Sequence, residues 1–190
     1  MFGGEPPLLA AVIEGHCEVV DTLLEAEEDV NMSDDEYFTP LMQAVSTDQR
    51  IGTDQRLLRA LLDAAADVNR ADVAGHTALL GAATNDNREV IKLLVEARAD
   101  INMSNDDNET PLFYAVYHGS CRMVSYFIDR GARVNQRTPG GSQLHLAAEK
   151  GRVDEVPMLL TGRADLQQER LLIMQCVATI LSMQRKFWKA

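Results

Sequence analysis

The segment that decides the fold is DINMSNDDNETPLFYAV, residues 100–116, in which Asn102 lies eight residues before Thr110. It opens with a polar residue, a branched apolar residue and Asn, and this triplet occurs four times along the chain. The four triplets are Asp29-Val30-Asn31, Asp67-Val68-Asn69, Asp100-Ile101-Asn102 and Arg133-Val134-Asn135. Their Asn residues are 38, 33 and 33 positions apart. A repeat of about 33 residues is typical of stacked helix pairs, so the sequence predicts an all-α helical repeat solenoid.

A second motif keeps a nearly fixed distance from the triplets and predicts where each helix pair begins. Its members are Pro6-Pro7-Leu8, Thr39-Pro40-Leu41, Thr77-Ala78-Leu79, Thr110-Pro111-Leu112 and Ser142-Gln143-Leu144. Thr and Ser can accept hydrogen bonds from the free N–H groups at a helix start, and proline is tolerated in the first turn. The predicted repeats number about five, with bounds of about 5–33, 34–71, 72–104, 105–137 and 138–168. A five-residue insertion in the second repeat falls near residues 47–55.

These triplets and helix openers resemble the ankyrin repeat family over about residues 5–167. The resemblance implies a protein-interaction module whose turn tips project along one edge, beside the concave face of the first helices. It also implies that His16 and His145 make structural hydrogen bonds. Three residues look like the asparagine-hydroxylation sites of that family, each lying eight positions after a Leu: Asn31, Asn69 and Asn102. We expect their main role to be hydrogen bonding within the turn.

Several positions depart from the family pattern, in which Gly ends the second helix in a left-handed conformation. Only Gly131 keeps that residue. The other four positions hold Glu27, Ala65, Arg98 and Arg163. A left-handed conformation costs a non-glycine residue roughly 1 kcal/mol. Pro157 falls inside the second helix of the fifth repeat, where we expect it to bend the helix or to shift its start.

Composition and charge limit the function classes. The chain has 190 residues, 46% of them hydrophobic, and a net charge of −11. This acidic balance lacks the basic footprint that nucleic-acid binding needs. No run of 18 clean apolar residues precedes the C-terminal segment, so no membrane-spanning helix is expected. The chain start lacks a signal-peptide pattern, and the three widely spaced Cys residues favour reduced thiols. The expectation is a monomeric protein of the cytoplasm or nucleus.

The sequence offers no motif for catalysis or for a cofactor. There is no His-x-x-x-His pair, no Cys-x-x-Cys pair and no glycine-rich phosphate loop. The acidic residues cluster at predicted turns rather than beside a nucleophile or in a pocket. We therefore predict a protein that is not an enzyme and that binds no metal or cofactor.

The predicted turn tips hold most of the candidate partner-binding residues. The candidates at the tips are Asp35, Glu36, Tyr37, Phe38, His76, Asp106, Asp107 and Glu109. Tyr117 and His118, near the end of the first helix of the fourth repeat, are the next candidates. Exposed aromatic residues flanked by acidic ones favour a contact patch for a partner protein with a basic surface. The alternative is that the acidic residues only solvate the turns.

Residues 169–190 leave the repeat pattern and read ERLLIMQCVATILSMQRKFWKA. Because this segment has no Gly or Pro, one C-terminal helix is the simplest prediction. Its apolar side chains can cap the open end of the repeat stack, as repeat arrays require. Its basic end, residues 185–189, also fits a second hypothesis. In that hypothesis the chain is a regulatory or inhibitory subunit whose amphipathic C-terminal helix docks on calmodulin or on a membrane surface.

Overall fold

The computed structural model describes residues 6–46 and 55–162, and nearly all regular structure in this part of the chain is helical. Two compact units are present, the first comprising Met1–Asp106 and the second Asp107–Ala190. Each unit is built from helix pairs in which a first helix is followed by a tight turn and a second helix. The predicted all-α helical repeat fold is therefore confirmed.

The first unit stacks three helix pairs. Its helices are α1 (Pro7–Ile13), α2 (Cys17–Glu25), α3 (Pro40–Ser46), α4 (Gln55–Asp63), α5 (Ala78–Thr84) and α6 (Arg88–Glu96). The first helices α1, α3 and α5 pack side by side, and each also packs against its own second helix. Their apolar side chains form the core, with Leu8, Leu41 and Leu79 almost completely buried. This row of first helices sets the spacing of the turn tips that join successive pairs.

The second unit contains two helix pairs and one very short hairpin. Its helices are α7 (Pro111–His118), α8 (Cys121–Asp129), α9 (Gln143–Glu149) and α10 (Glu155–Thr161). Strands β1 (Arg137–Thr138) and β2 (Gly141–Ser142) pair antiparallel just before α9. Helix α7 packs against α8 and α9, and α10 packs against α8 and α9. The two-residue strands close a turn tip rather than forming an extended sheet.

Threonine side chains cap three of the first helices, as predicted from the openers. The Oγ1 atoms of Thr39 and Thr77 accept hydrogen bonds from the N–H of the third residue of α3 and of α5, at 3.2 and 3.3 Å. Thr110 makes the same bond to the N–H of Phe113 at 3.3 Å. Each bond satisfies one of the N–H groups that a helix start leaves without a partner. The predicted helix starts are confirmed by these caps.

The two predicted structural histidines behave differently. The Nδ1 atom of His145 lies 2.7 Å from the Oγ of Ser142 and accepts from the Ser142 N–H at 3.3 Å, which closes a capping box. His16 stands at the N-cap of α2, where its exposed ring makes no capping hydrogen bond. The structural hydrogen bond expected of the His16 ring is therefore a wrong prediction. The backbone holds this turn instead, since the His16 N–H donates to the Ala11 carbonyl at 2.9 Å.

Left-handed residues end the second helices, as predicted from the repeat phase. Glu27, Ala65 and Arg98 have φ angles of 58°, 61° and 69°, and Gly131 has 87°. A bulky residue in this region carries strain that glycine avoids. Asp86, between α5 and α6, takes the left-handed conformation that glycine supplies in other pairs, with φ of 48°.

Pro157 shifts the start of the last second helix, one of its two predicted effects. Helix α10 begins at Glu155, thirteen residues after the Ser142 cap, whereas α8 begins eleven residues after the Thr110 cap. Proline has no N–H to donate, so it is tolerated only within the first turn. In α10 it occupies the third helical position, and the helix is seven residues long instead of nine.

Some predictions fall on parts of the chain that the structure does not describe. Residues 47–54 of the predicted insertion, Arg163 and the predicted C-terminal helix over 169–190 all lie outside the described residues. Gln55, predicted to lie at the edge of the insertion, is the first residue of α4. Within residues 6–46 and 55–162, no helix has the length and hydropathy to cross a bilayer. The same residues contain no group of three or more potential metal ligands.

Candidate partner-binding surface

The repeated triplets join successive repeats of the first unit. The side-chain oxygen of Asn31 accepts a hydrogen bond from the Asp67 N–H at 2.8 Å, and that of Asn69 accepts from the Asp100 N–H at 2.7 Å. The first residue of each triplet in turn accepts from the N–H of its own Asn, at 2.9 to 3.0 Å for Asp29 and Asp67. The hydrogen-bonding role expected of Asn31 and Asn69 is confirmed, and it fixes the base of each tip.

The first turn tip is closed by one carboxylate oxygen. Oδ1 of Asp34 accepts from the N–H of Glu36 at 2.9 Å and from that of Phe38 at 2.8 Å. Tyr37 is left-handed, with φ of 61°, and its N–H donates to the Asp34 carbonyl at 3.1 Å. Asp34 therefore folds the tip, while the next three residues project outward.

The second tip repeats this construction around Asp72. Its Oδ1 accepts from the N–H of Ala74 at 2.9 Å and from that of His76 at 2.8 Å. Its Oδ2 lies 3.3 Å from Nδ1 of His76, whose Nε2 lies 3.4 Å from the side-chain nitrogen of Asn105. The predicted partner-binding residue His76 is thus half-buried and braces two neighbouring tips.

Backbone hydrogen bonds connect the tips of the first unit to one another. The Val73 N–H donates to the Glu36 carbonyl at 3.1 Å, and the Asp106 N–H donates to the Ala74 carbonyl at 3.0 Å. Gly75 has φ of 78°, and a Cβ on it would come within 3.0 Å of the Asn105 Cα. Only glycine fits this close approach without a shift. The linked tips, residues 34–38, 72–76 and 105–106, are called the tip ledge from here on.

The tip ledge exposes two large apolar side chains beside acidic ones. Tyr37 is 56% exposed and Val73 is 60% exposed, and both Asp35 and Glu36 are exposed. Phe38 is half-buried, so only one of the two aromatic residues at this tip is open to a partner. The predicted site residues omitted Val73. The sequence could have indicated Val73, because it lies in the second tip, one repeat after the first, between the turn-forming residues Asp72 and Gly75.

The second unit carries the remaining predicted residues. Asp107 is exposed, and Glu109 is half-buried with its Oε2 accepting from the Tyr114 hydroxyl at 2.6 Å. Tyr117 and His118 are exposed at the end of α7, with their rings edge to face at 5.5 Å between centroids.

Two basic residues lie close to Tyr117. The Lys150 Nζ lies 4.9 Å from the Tyr117 ring centroid, and Nη2 of Arg152 donates to the Tyr117 carbonyl at 2.6 Å. A cation over an aromatic face is attracted by the electron density of the ring. The end of α7 is therefore less acidic than the tips, a feature that the sequence analysis did not predict.

One thiol of the second unit has a perturbed pKa. Burial raises the pKa of Cys121, and a hydrogen bond and the negative charge of Glu155 raise it further. The Glu155 side chain is itself buried at the start of α10. All of these causes favour the neutral thiol, so Cys121 is poorly suited to act as a nucleophile.

Comparison with known proteins identifies the repeats. The chain matches the family model for ankyrin repeats (3 copies) over residues 3–72, 50–138 and 82–170. It is 34% identical over 168 residues to a protein of Arabidopsis thaliana named E3 ubiquitin-protein ligase XBAT33. That alignment covers 87% of this chain but 31% of the relative, so the chain spans about a third of the relative's length.

Proposed function

The chain belongs to the ankyrin repeat family, and we propose that it is a non-catalytic module that binds a partner protein through its turn tips and its first-helix surface. Ankyrin repeats generally mediate protein–protein interaction. The ligase activity in the relative's name is not carried over, because the chain corresponds to 31% of that protein. The module acts as a monomer in the cytoplasm or nucleus and needs no cofactor.

The observation that carries this proposal is the rigid tip ledge of the first unit. Two backbone hydrogen bonds join its tips, and an aspartate oxygen closes each of the first two. A surface whose backbone is already fixed loses little conformational entropy when a partner binds. The exposed Tyr37 and Val73 supply apolar contact area on this fixed frame.

Charge favours a partner with a basic surface. The chain carries −11 overall, and Asp35, Glu36 and Asp106 are exposed on the tip ledge. Complementary charge raises the association rate at low ionic strength and suppresses acidic partners. Apolar area surrounded by acidic residues therefore suits a basic surface with an apolar centre, and it disfavours nucleic acid, whose backbone is negative.

Capture from a cell extract with matched charge variants tests the proposal. Asp35→Lys with Glu36→Lys reverses two charges on the tip ledge. Glu25→Lys with Glu96→Lys makes the same change in net charge on the exposed faces of α2 and α6. The proposal expects a partner that the wild-type chain and the helix variant retain and that the ledge variant loses. If all three chains retain the partner equally, the acidic residues of the tip ledge only solvate the surface and do not bind the partner.

A second candidate function is favoured by the charge of the C-terminal segment. Residues 169–190 contain four basic and one acidic residue, whereas the whole chain carries −11. In this candidate the segment is a basic amphipathic helix that docks on calmodulin or on a membrane surface. Comparing residues 1–168 with the full chain separates the candidates. Capture survives the deletion if the repeats bind the partner, and it is lost if the C-terminal segment does.

A further inference from the structure

The second unit contains a groove, distinct from the tip ledge, that combines apolar and acidic side chains. It is lined by the tip residues Asp107 and Glu109, by the hairpin turn at 138–142, and by α7 and α9 side chains. Its volume is about 280 Å³, below the range of about 300–1,000 Å³ typical of small-molecule sites. A groove of this size suits one long side chain of a partner better than a complete ligand.

The groove combines an apolar floor with an acidic rim. Phe113 and Leu146 supply the floor, and Phe113 is half-buried. The rim holds the carboxyl groups of Asp107, Glu109 and Glu149, with no Lys or Arg among the residues that line the groove. An occupant must therefore offer an apolar stem to the floor and a positive charge to the rim.

Two side-chain hydrogen bonds stabilise the walls. The Tyr114 hydroxyl donates to Oε2 of Glu109 at 2.6 Å, which orients this carboxyl group. In the hairpin turn, Oγ1 of Thr138 donates to the Gly141 carbonyl at 3.0 Å and tightens the turn. The Phe113 ring also packs edge to face on Tyr114, at 5.4 Å between centroids. The Glu109 carboxyl group and the hairpin turn are therefore positioned before any occupant arrives.

We propose that this groove binds an arginine side chain of the partner protein. Arginine fits better than lysine because its planar guanidinium pairs with carboxylates in a bidentate manner and stacks on an aromatic ring such as Phe113. Its weaker hydration also lowers the cost of entering a partly apolar groove. This inference rests on the proposed protein-binding function and adds a specific anchor to it.

The test is an NMR titration of the full 190-residue chain with N-acetyl-arginine amide. The inference expects saturable shifts of the amide signals of Phe113, Gly140 and Gly141, whose residues line or flank the groove. N-acetyl-lysine amide shifts the same signals with weaker affinity. N-acetyl-citrulline amide, which has the shape of arginine without its charge, leaves them unchanged.

Charge-neutralising variants locate the binding on the rim. Asp107→Asn with Glu149→Gln removes two exposed rim charges, and it should weaken arginine binding about ten-fold if each carboxylate contributes about three-fold. Asp129→Asn, an exposed position on α8, is the control and should leave the affinity unchanged. Unchanged signals elsewhere in the spectrum show that each variant keeps its fold.

Three results overturn the inference: no saturable shift of the groove signals with the arginine amide, equal shifts with the citrulline amide, or an arginine affinity that the rim substitutions do not change. None of them bears on the tip ledge, because Asp35 and Glu36 belong to the first unit. Conversely, a partner whose binding is unchanged by the ledge substitutions contradicts the proposed function. The arginine titration still tests the groove in that case. The two failures are therefore distinguishable.

Discussion

Replacing Asp72 with alanine removes the side chain that folds the second turn tip. Its Oδ1 accepts two backbone hydrogen bonds, from Ala74 at 2.9 Å and from His76 at 2.8 Å. Its Oδ2 also lies 3.3 Å from the His76 ring. The substitution leaves both N–H groups without their acceptor and frees the His76 ring that contacts Asn105. We expect the tip to open locally while the helices on either side remain folded.

The size of the effect follows from these bonds. Hydrogen bonds to a charged group contribute about 1.5–3 kcal/mol each, and the freed N–H groups recover part of that by binding water. Since the Asp72 side chain is only 13% exposed, little of the interaction is screened. We expect Asp72→Ala to lower the free energy of unfolding by roughly 2 kcal/mol. For a chain of this size, that corresponds to a melting temperature lower by about 4–8 °C.

Urea unfolding followed by circular dichroism measures the loss, and hydrogen exchange at Ala74 and His76 locates it. Asp72→Asn keeps an acceptor oxygen without the charge and should lose about half as much. Asp106→Ala, at an exposed position of the tip ledge, is the control and should change stability by less than about 0.5 kcal/mol. If Asp72→Ala is no more destabilising than this control, the carboxylate does not hold the tip and the reasoning fails.

Three further predictions concern other parts of the chain. Ala65→Gly should stabilise the fold by about 1 kcal/mol in urea unfolding because φ is 61° there, whereas Ala64→Gly should not. Cys121 should reach half-maximal labelling by iodoacetamide above the ordinary thiol pKa of about 8.5, and Glu155→Gln should lower that pH. Because the folded-state pKa is raised, the associated stability is present below about pH 8.5 and lost at higher pH. Deleting residues 169–190 should lower the melting temperature and cause aggregation if this segment caps the last repeat. A soluble truncated chain with unchanged melting would contradict the cap.

The helix starts could be predicted because their causes are local. Thr77 and Thr110 cap helices through a bond to the N–H of a residue three positions away, so the acceptor and its donor lie within four consecutive residues. The left-handed helix ends were also predictable, since Ala65 and Arg98 occupy the repeat position at which the chain must turn. Both predictions needed only the phase of the repeat.

The construction of the tips was missed, although its signal was present in the sequence. Asp34 and Asp72 each lie three residues after a triplet Asn, and Asn105 holds the same position in the next repeat. The sequence analysis treated such acids as surface charge, whereas Asp34 and Asp72 fold their own turns. A short side chain with an acceptor oxygen that recurs at the same position of successive repeats is more typical of a residue that closes its turn than of one that contacts a partner.

Contacts between side chains of different repeats could not be predicted from the sequence. Lys150 lies over the Tyr117 ring although the two residues are 33 positions apart, and Nη2 of Arg152 bonds the Tyr117 carbonyl. Such contacts depend on the rotamers of long side chains, which the repeat phase does not fix. The sequence likewise did not indicate that Phe38 is half-buried while its neighbour Tyr37 is exposed.

The most direct test of the account is a hydrogen-exchange map of the full chain, measured alone and with the partner that the capture experiment identifies. The account predicts added protection on the tip ledge, around residues 34–38 and 72–76, and no change on the second helices α2 and α6. Protection confined to α2 and α6, or to residues 169–190, would contradict it, because the partner would then bind a surface other than the linked tips.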